Sequence, residues 1–114
     1  MTGRSEDLDD PDYPAYTTGR AAAALGVQQA FLRALDAAGA VTPERSEGGR
    51  RRYTRRQLIF ATRIRELFDQ GHTLAAALRI LALEDDLATE RALTASLYQR
   101  LADEDERAES HEQG

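Results

Sequence analysis

Val41-Thr42-Pro43-Glu44-Arg45-Ser46-Glu47-Gly48-Gly49-Arg50-Arg51-Arg52-Tyr53-Thr54-Arg55-Arg56-Gln57 is a segment with few ways to fold. Val41 to Pro43 open an extended stretch, Ser46 to Gly49 supply turn residues, and Arg50 to Tyr53 return as a partner strand, which predicts a small β-hairpin. Strand alternation sends Arg50 and Arg52 to one side and Arg51 and Tyr53 to the other, so one side can face an anion while Tyr53 packs inward. Arg50, Arg51, Arg52, Arg55 and Arg56 crowd seven positions that hold no acid. Like charges so close repel unless an anion lies opposite them. Thr54 followed by Gln57 forms a capping box, opening a helix whose Phe60, Ile64, Leu67 and Phe68 share a face and which Gly71 stops.

Working outward, Thr18 to Leu25 read as a short alanine-rich helix that Thr17 or Thr18 can cap and Gly26 breaks. Val27, Phe31, Leu35 and Ala38 recur at helical spacing up to Gly39, so two helices flank one glycine, a helix-turn-helix arrangement. Downstream, Thr73 can cap a helix with Leu74, Ala77, Leu78 and Leu81 on one stripe. From Leu83 onward apolar residues thin to Leu87, Leu93, Leu97, Tyr98 and Leu101, a short heptad-like pattern in a helix-favouring background. The expected organisation is an acidic disordered segment over 1–12, a winged helix-turn-helix domain over 13–83, a helix over 84–102 and an acidic disordered tail over 103–114. Mainly α, with a hairpin wing, is the expected fold class.

The 114 residues carry a net charge of -5, but it is unevenly spread. Residues 13–65 hold ten arginines against three acids, Asp36, Glu44 and Glu47. Such a local cationic surplus is the footprint of nucleic-acid binding, whatever the average charge. Cysteine is absent and the histidines are only His72 and His111, which leaves no disulfide, thiolate metal site or zinc cluster to read. No nucleophile with an adjacent base and no glycine-rich phosphate loop is recognisable, so an enzyme and a bound cofactor are not expected. Neither a signal peptide nor a membrane-spanning run is visible, which predicts a cytoplasmic, nucleoid-associated protein. Glu84, Asp85 and Asp86 read as the favoured start of a helix rather than a cation site.

From Tyr16 to about Leu87 the chain resembles the MerR family of bacterial transcription regulators. The matching pieces are Gly26-Val27 at the helix turn, Phe31-Leu32-Arg33 in the second helix, Gly48-Gly49-Arg50-Arg51-Arg52-Tyr53 at the wing, and Gly71-His72-Thr73-Leu74 with Leu78 and Leu81 beyond. Ala34 and Leu35 stand where the family usually continues with aromatic residues. His72 occupies a position that the family often fills with an aromatic, and packing is its expected role. The short ending after Leu83 is nearest in layout to the heat-shock repressor subgroup. The resemblance implies a homodimer on double-stranded DNA, with the duplex bent or untwisted between half-sites.

Gln28, Gln29 and Arg33 are the candidates for reading bases, since glutamine can pair with adenine and arginine with guanine in the major groove. Capping by the glutamines and an Arg33–Asp36 pair is the alternative. Arg50, Arg51, Arg52 and Tyr53, with Arg55, Arg56 and Arg20, are the candidates for wing and backbone contacts. Leu87, Leu93, Leu97, Tyr98 and Leu101 either pair two protomers or fold back on the same chain. A different reading keeps the fold but makes it a protein-interaction module for a chaperone or RNA polymerase.

Overall fold

The computed structural model describes residues 9–113, so the expectation for 1–12 lies outside the described residues except at its last four positions. From Tyr16 onward the described residues form three short strands and four helices: β1 (Tyr16–Thr17), α1 (Thr18–Leu25), α2 (Gln29–Ala37), β2 (Glu44–Arg45), β3 (Arg51–Tyr53), α3 (Arg55–Asp69) and α4 (Leu74–Gln113). By contact the chain divides into two compact units, one up to Leu78 and one from Arg79.

The boundaries of α1 and the start of α3 have local causes. Thr17 Oγ1 accepts from the Arg20 backbone N–H at 3.2 Å to cap α1, and Gly26 ends that helix at φ 68°. This left-handed conformation is costly for any residue with a Cβ. At α3 both halves of the capping box are present: the Gln57 N–H donates to Thr54 Oγ1 at 3.0 Å and the Thr54 N–H to Gln57 Oε1 at 2.9 Å. The core gathers Ala21 and Ala22 of α1, Leu32 and Leu35 of α2, and Leu58, Ala61, Ile64 and Leu67 of α3. Phe31 meets Phe68 edge to face, with ring centroids 5.9 Å apart. Burying side chains of this size supplies about 1.5–3 kcal/mol each, which is what holds such short helices.

Three features differ from the sequence expectation. The hairpin is a three-stranded antiparallel sheet in the order β1-β3-β2. Tyr16 pairs with Tyr53 and Thr17 with Arg52 on one edge of β3, while Glu44 pairs with Arg52 and Arg45 with Arg51 on the other. An isolated two-stranded hairpin is marginal, and the added strand ties the wing to the start of α1. Secondly, the two helices expected after Thr73 are one 40-residue helix, and residues 103–113, expected to be disordered, belong to it. No glycine or proline occurs between Leu74 and Gln113, and local pairs such as Gln99–Asp103 and Arg107–Glu104 support the distal turns. Glu84, Asp85 and Asp86 therefore lie inside a helix rather than at its start. Thirdly, His72 is exposed rather than packed.

Candidate nucleic-acid interface

Helix α2 presents the three residues expected to read bases. Gln28 is the N-cap but makes no side-chain capping bond, and Gln28, Gln29 and Arg33 are all exposed. Gln29 and Arg33 stand four residues apart and so share a face of the helix. Gly19 passes close to the Gln29 amide: a Cβ at this position would sit 3.4 Å from Nε2. Arg33 has no ion-pair partner among the described residues. Asp36, the partner it was expected to have in the alternative reading, is engaged by the wing instead.

Inside the wing the arginines divide by side. Ser46 N–H donates to the Arg50 carbonyl at 2.8 Å and Gly49 adopts φ 78°, closing the turn. Arg45 Nη1 reinforces it by donating to the Gly49 carbonyl at 3.1 Å. Arg51, on the Tyr53 side of the strand, turns its Nε to Asp36 Oδ2 at 2.8 Å. Arg50 and Arg52 make no ion pair within 4 Å among the described residues, although Glu44 stands opposite Arg52 in the ladder. Tyr53, grouped with these contacts by the sequence, is a correction: it is fully buried, so it belongs to the core and supports the wing from behind. Burial pushes its hydroxyl above the usual phenol range.

A cleft of about 400 Å³ joins these pieces, lined by Thr17, Thr18, Gln29, Arg33, Arg45, Gly49, Arg50, Arg51 and Arg52. Five guanidinium groups along one concave surface, three of them without a carboxylate of their own, form a site for phosphate and for a base edge side by side. Arg45 was not singled out from the sequence, and Thr17 and Thr18 only as helix caps. Arg45 becomes legible only with the hairpin register, which sets it opposite Arg51, and the threonines only with β1.

Other predicted residues lie outside this cleft. Gln28 lines a separate recess with Val27, Phe31 and Arg65. Arg20 stacks over Tyr16, 5.9 Å from its ring centroid. Arg55 donates to the Asp9 carbonyl at 3.0 Å, and Arg56 Nε meets Asp12 Oδ1 at 2.7 Å while its backbone N–H donates to the Pro11 carbonyl. The carboxylate of Asp12 holds the Arg56 guanidinium above its ordinary pKa. In the second unit Leu87, Leu93, Leu97, Tyr98 and Leu101 are all exposed, Tyr98 by 70%. No helix among the described residues is long and apolar enough to cross a membrane.

Residues 16–84 match the MerR helix-turn-helix family of regulatory proteins. Over 87 residues the chain is 36% identical to the heat shock protein HspR of Streptomyces coelicolor (strain ATCC BAA-471 / A3(2) / M145), covering 75% of this chain and 58% of that relative. The chain thus spans little more than half the length of the relative it matches.

Proposed function

This chain belongs to the MerR helix-turn-helix family of regulatory proteins, and from that premise we propose that it is a transcription regulator that binds double-stranded DNA as a homodimer. Gln29 and Arg33 of α2 enter the major groove and read base edges, while Arg50 and Arg52 of the wing hold the adjacent phosphates. The observation that carries this reading is the cleft that brings Arg33, Arg50 and Arg52 together, none of them within ion-pair distance of a carboxylate among the described residues. Uncompensated like charges on one surface cost folding free energy and are most economically explained by an external polyanion. Two copies, paired through the exposed leucines of α4, address a pseudo-palindromic site. Likeness to the heat shock protein HspR supports a place for its target genes in the heat-shock response. As a duplex-binding regulator it works in the cytoplasm, at the nucleoid.

The shared pairing of Arg45 and Arg51 with Asp36 leaves three open arginines per protomer in the cleft, Arg33, Arg50 and Arg52. With Arg33 reading bases, the four phosphates held by Arg50 and Arg52 of a dimer give a logarithmic salt slope of about -4. The test is Arg50→Gln with Arg52→Gln, assayed by fluorescence anisotropy on a labelled duplex over a range of salt. Affinity should fall at least about tenfold at moderate salt and the slope should become shallower by about 4. Unchanged affinity and slope would remove the DNA-binding reading in favour of a protein-interaction module, which has no need of those two charges.

A further inference from the structure

Asp36 is an acidic side chain shared by two of the arginines that line the cationic cleft, and its position is not explained by solvation. It lies in the last turn of α2 with only 19% of its side chain exposed, 2.8 Å from Arg51 Nε and 3.8 Å from Arg45 Nη2. Arg45 and Arg51 are directly opposed across the β2–β3 ladder. Opposed like charges destabilise a strand pair, and a carboxylate between them converts that repulsion into a bridge. The bridge also crosses elements, because Asp36 belongs to the helix that carries Gln29 and Arg33, whereas its partners belong to the wing that carries Arg50 and Arg52.

We propose that Asp36 is a positioning residue for nucleic-acid binding: it locks the wing to α2 so that the open arginines of both elements face the same duplex in register. This deepens the DNA-binding reading above and rests on it. Asp36 touches no DNA itself. Its carboxylate sits beside a polyanion-binding surface, where simple charge repulsion makes it unfavourable for the complex. Positioning and plain electrostatics therefore predict opposite signs when the charge is removed. A wing released from Asp36 samples other orientations, fewer phosphates are reached together, and ordering it on binding costs conformational entropy.

The experiment compares Asp36→Asn, Asp36→Glu and Arg51→Gln with the parent chain, and Asp36→Asn in the Arg51→Gln background, on the same labelled duplex over the same salt range. Asp36→Asn should bind about tenfold more weakly than the parent and with a salt slope shallower by about 1–2. Asp36→Glu should recover part of both, and Asp36→Asn should cost no further affinity once Arg51 is already glutamine. Circular dichroism checks that each variant is folded at the assay temperature. Should Asp36→Asn not fold, the Arg51→Gln and Asp36→Glu chains carry the test. Arg51 is engaged by Asp36 and holds no phosphate, so a slope shallower by about 1–2 for Arg51→Gln reports the lost tether, and unchanged affinity and slope would overturn the inference. Binding by folded Asp36→Asn equal to or tighter than the parent, with the parent's slope, overturns the inference, as does a lowered melting temperature with unchanged binding. Arg50→Gln with Arg52→Gln, run alongside, separates the failures: if that variant is weakened and Asp36→Asn is not, only the positioning role falls; if neither is weakened, the DNA-binding reading falls with it.

Discussion

Tyr53 ends β3 with no exposure, and its buried hydroxyl makes no well-formed hydrogen bond, with only a weak contact to Thr18. An unsatisfied buried hydroxyl costs about 1–3 kcal/mol relative to a satisfied one, so Tyr53→Phe is expected to leave the melting temperature unchanged or raise it. The raised pKa adds a second consequence. The folded state favours the neutral phenol, so its contribution to stability is complete below the unfolded value of 10.0 and is lost as pH rises from there through the folded value. Melting curves of parent and Tyr53→Phe should therefore diverge above that pH, with the parent losing stability faster. A large fall in the melting temperature of Tyr53→Phe at neutral pH would show that the hydroxyl has a partner after all. Strand alternation was enough to turn Tyr53 inward, yet its place in an arginine run suggested a contact with DNA. Burial by the surrounding core, which no local pattern encodes, settled which of the two it is.

Thr54 and Gln57 make the start of α3 the most completely specified boundary in the chain, because each side chain satisfies a backbone N–H that the helix leaves orphaned. Thr54→Ala should destabilise the domain by about 1 kcal/mol, read as a melting-temperature drop of about 4–8 °C. No change in thermal unfolding would mean that α3 is held by its buried face alone. Such capping signals are legible because they act within four residues, as do Gly26 and the helix it ends. The two-residue strand β1 was not legible. Tyr16 and Thr17 form a strand only because β3 lies beside them, 37 positions away for the Tyr16–Tyr53 pair, and a strand that short has no periodicity to read. The division of labour among the wing arginines has the same origin: Arg51 differs from Arg52 through Asp36, a residue of another element.

At the scale of the whole molecule, the uninterrupted α4 carries exposed Leu83, Leu87, Leu93, Leu97, Tyr98 and Leu101. A helix with a sparse apolar stripe gains little stability until another surface covers it, which is the basis of the proposed pairing of two copies. Sedimentation equilibrium of the parent chain should give twice the chain mass. Replacing Leu93, Leu97 and Tyr98 together by alanine should shift the distribution toward the single-chain mass; a parent chain already at that mass would exclude the homodimer. Across the molecule, local chemistry in the sequence sufficed for the helix starts and stops up to Thr73, the hairpin, the cationic middle and the family, because caps, turns and charge density depend on near neighbours. Which arginines stay open, that Tyr53 lies in the core, and that a third strand completes the wing were decided by tertiary structure alone, because each depends on contacts between residues far apart in the chain, where packing and a single shared carboxylate choose among side chains that look alike in sequence.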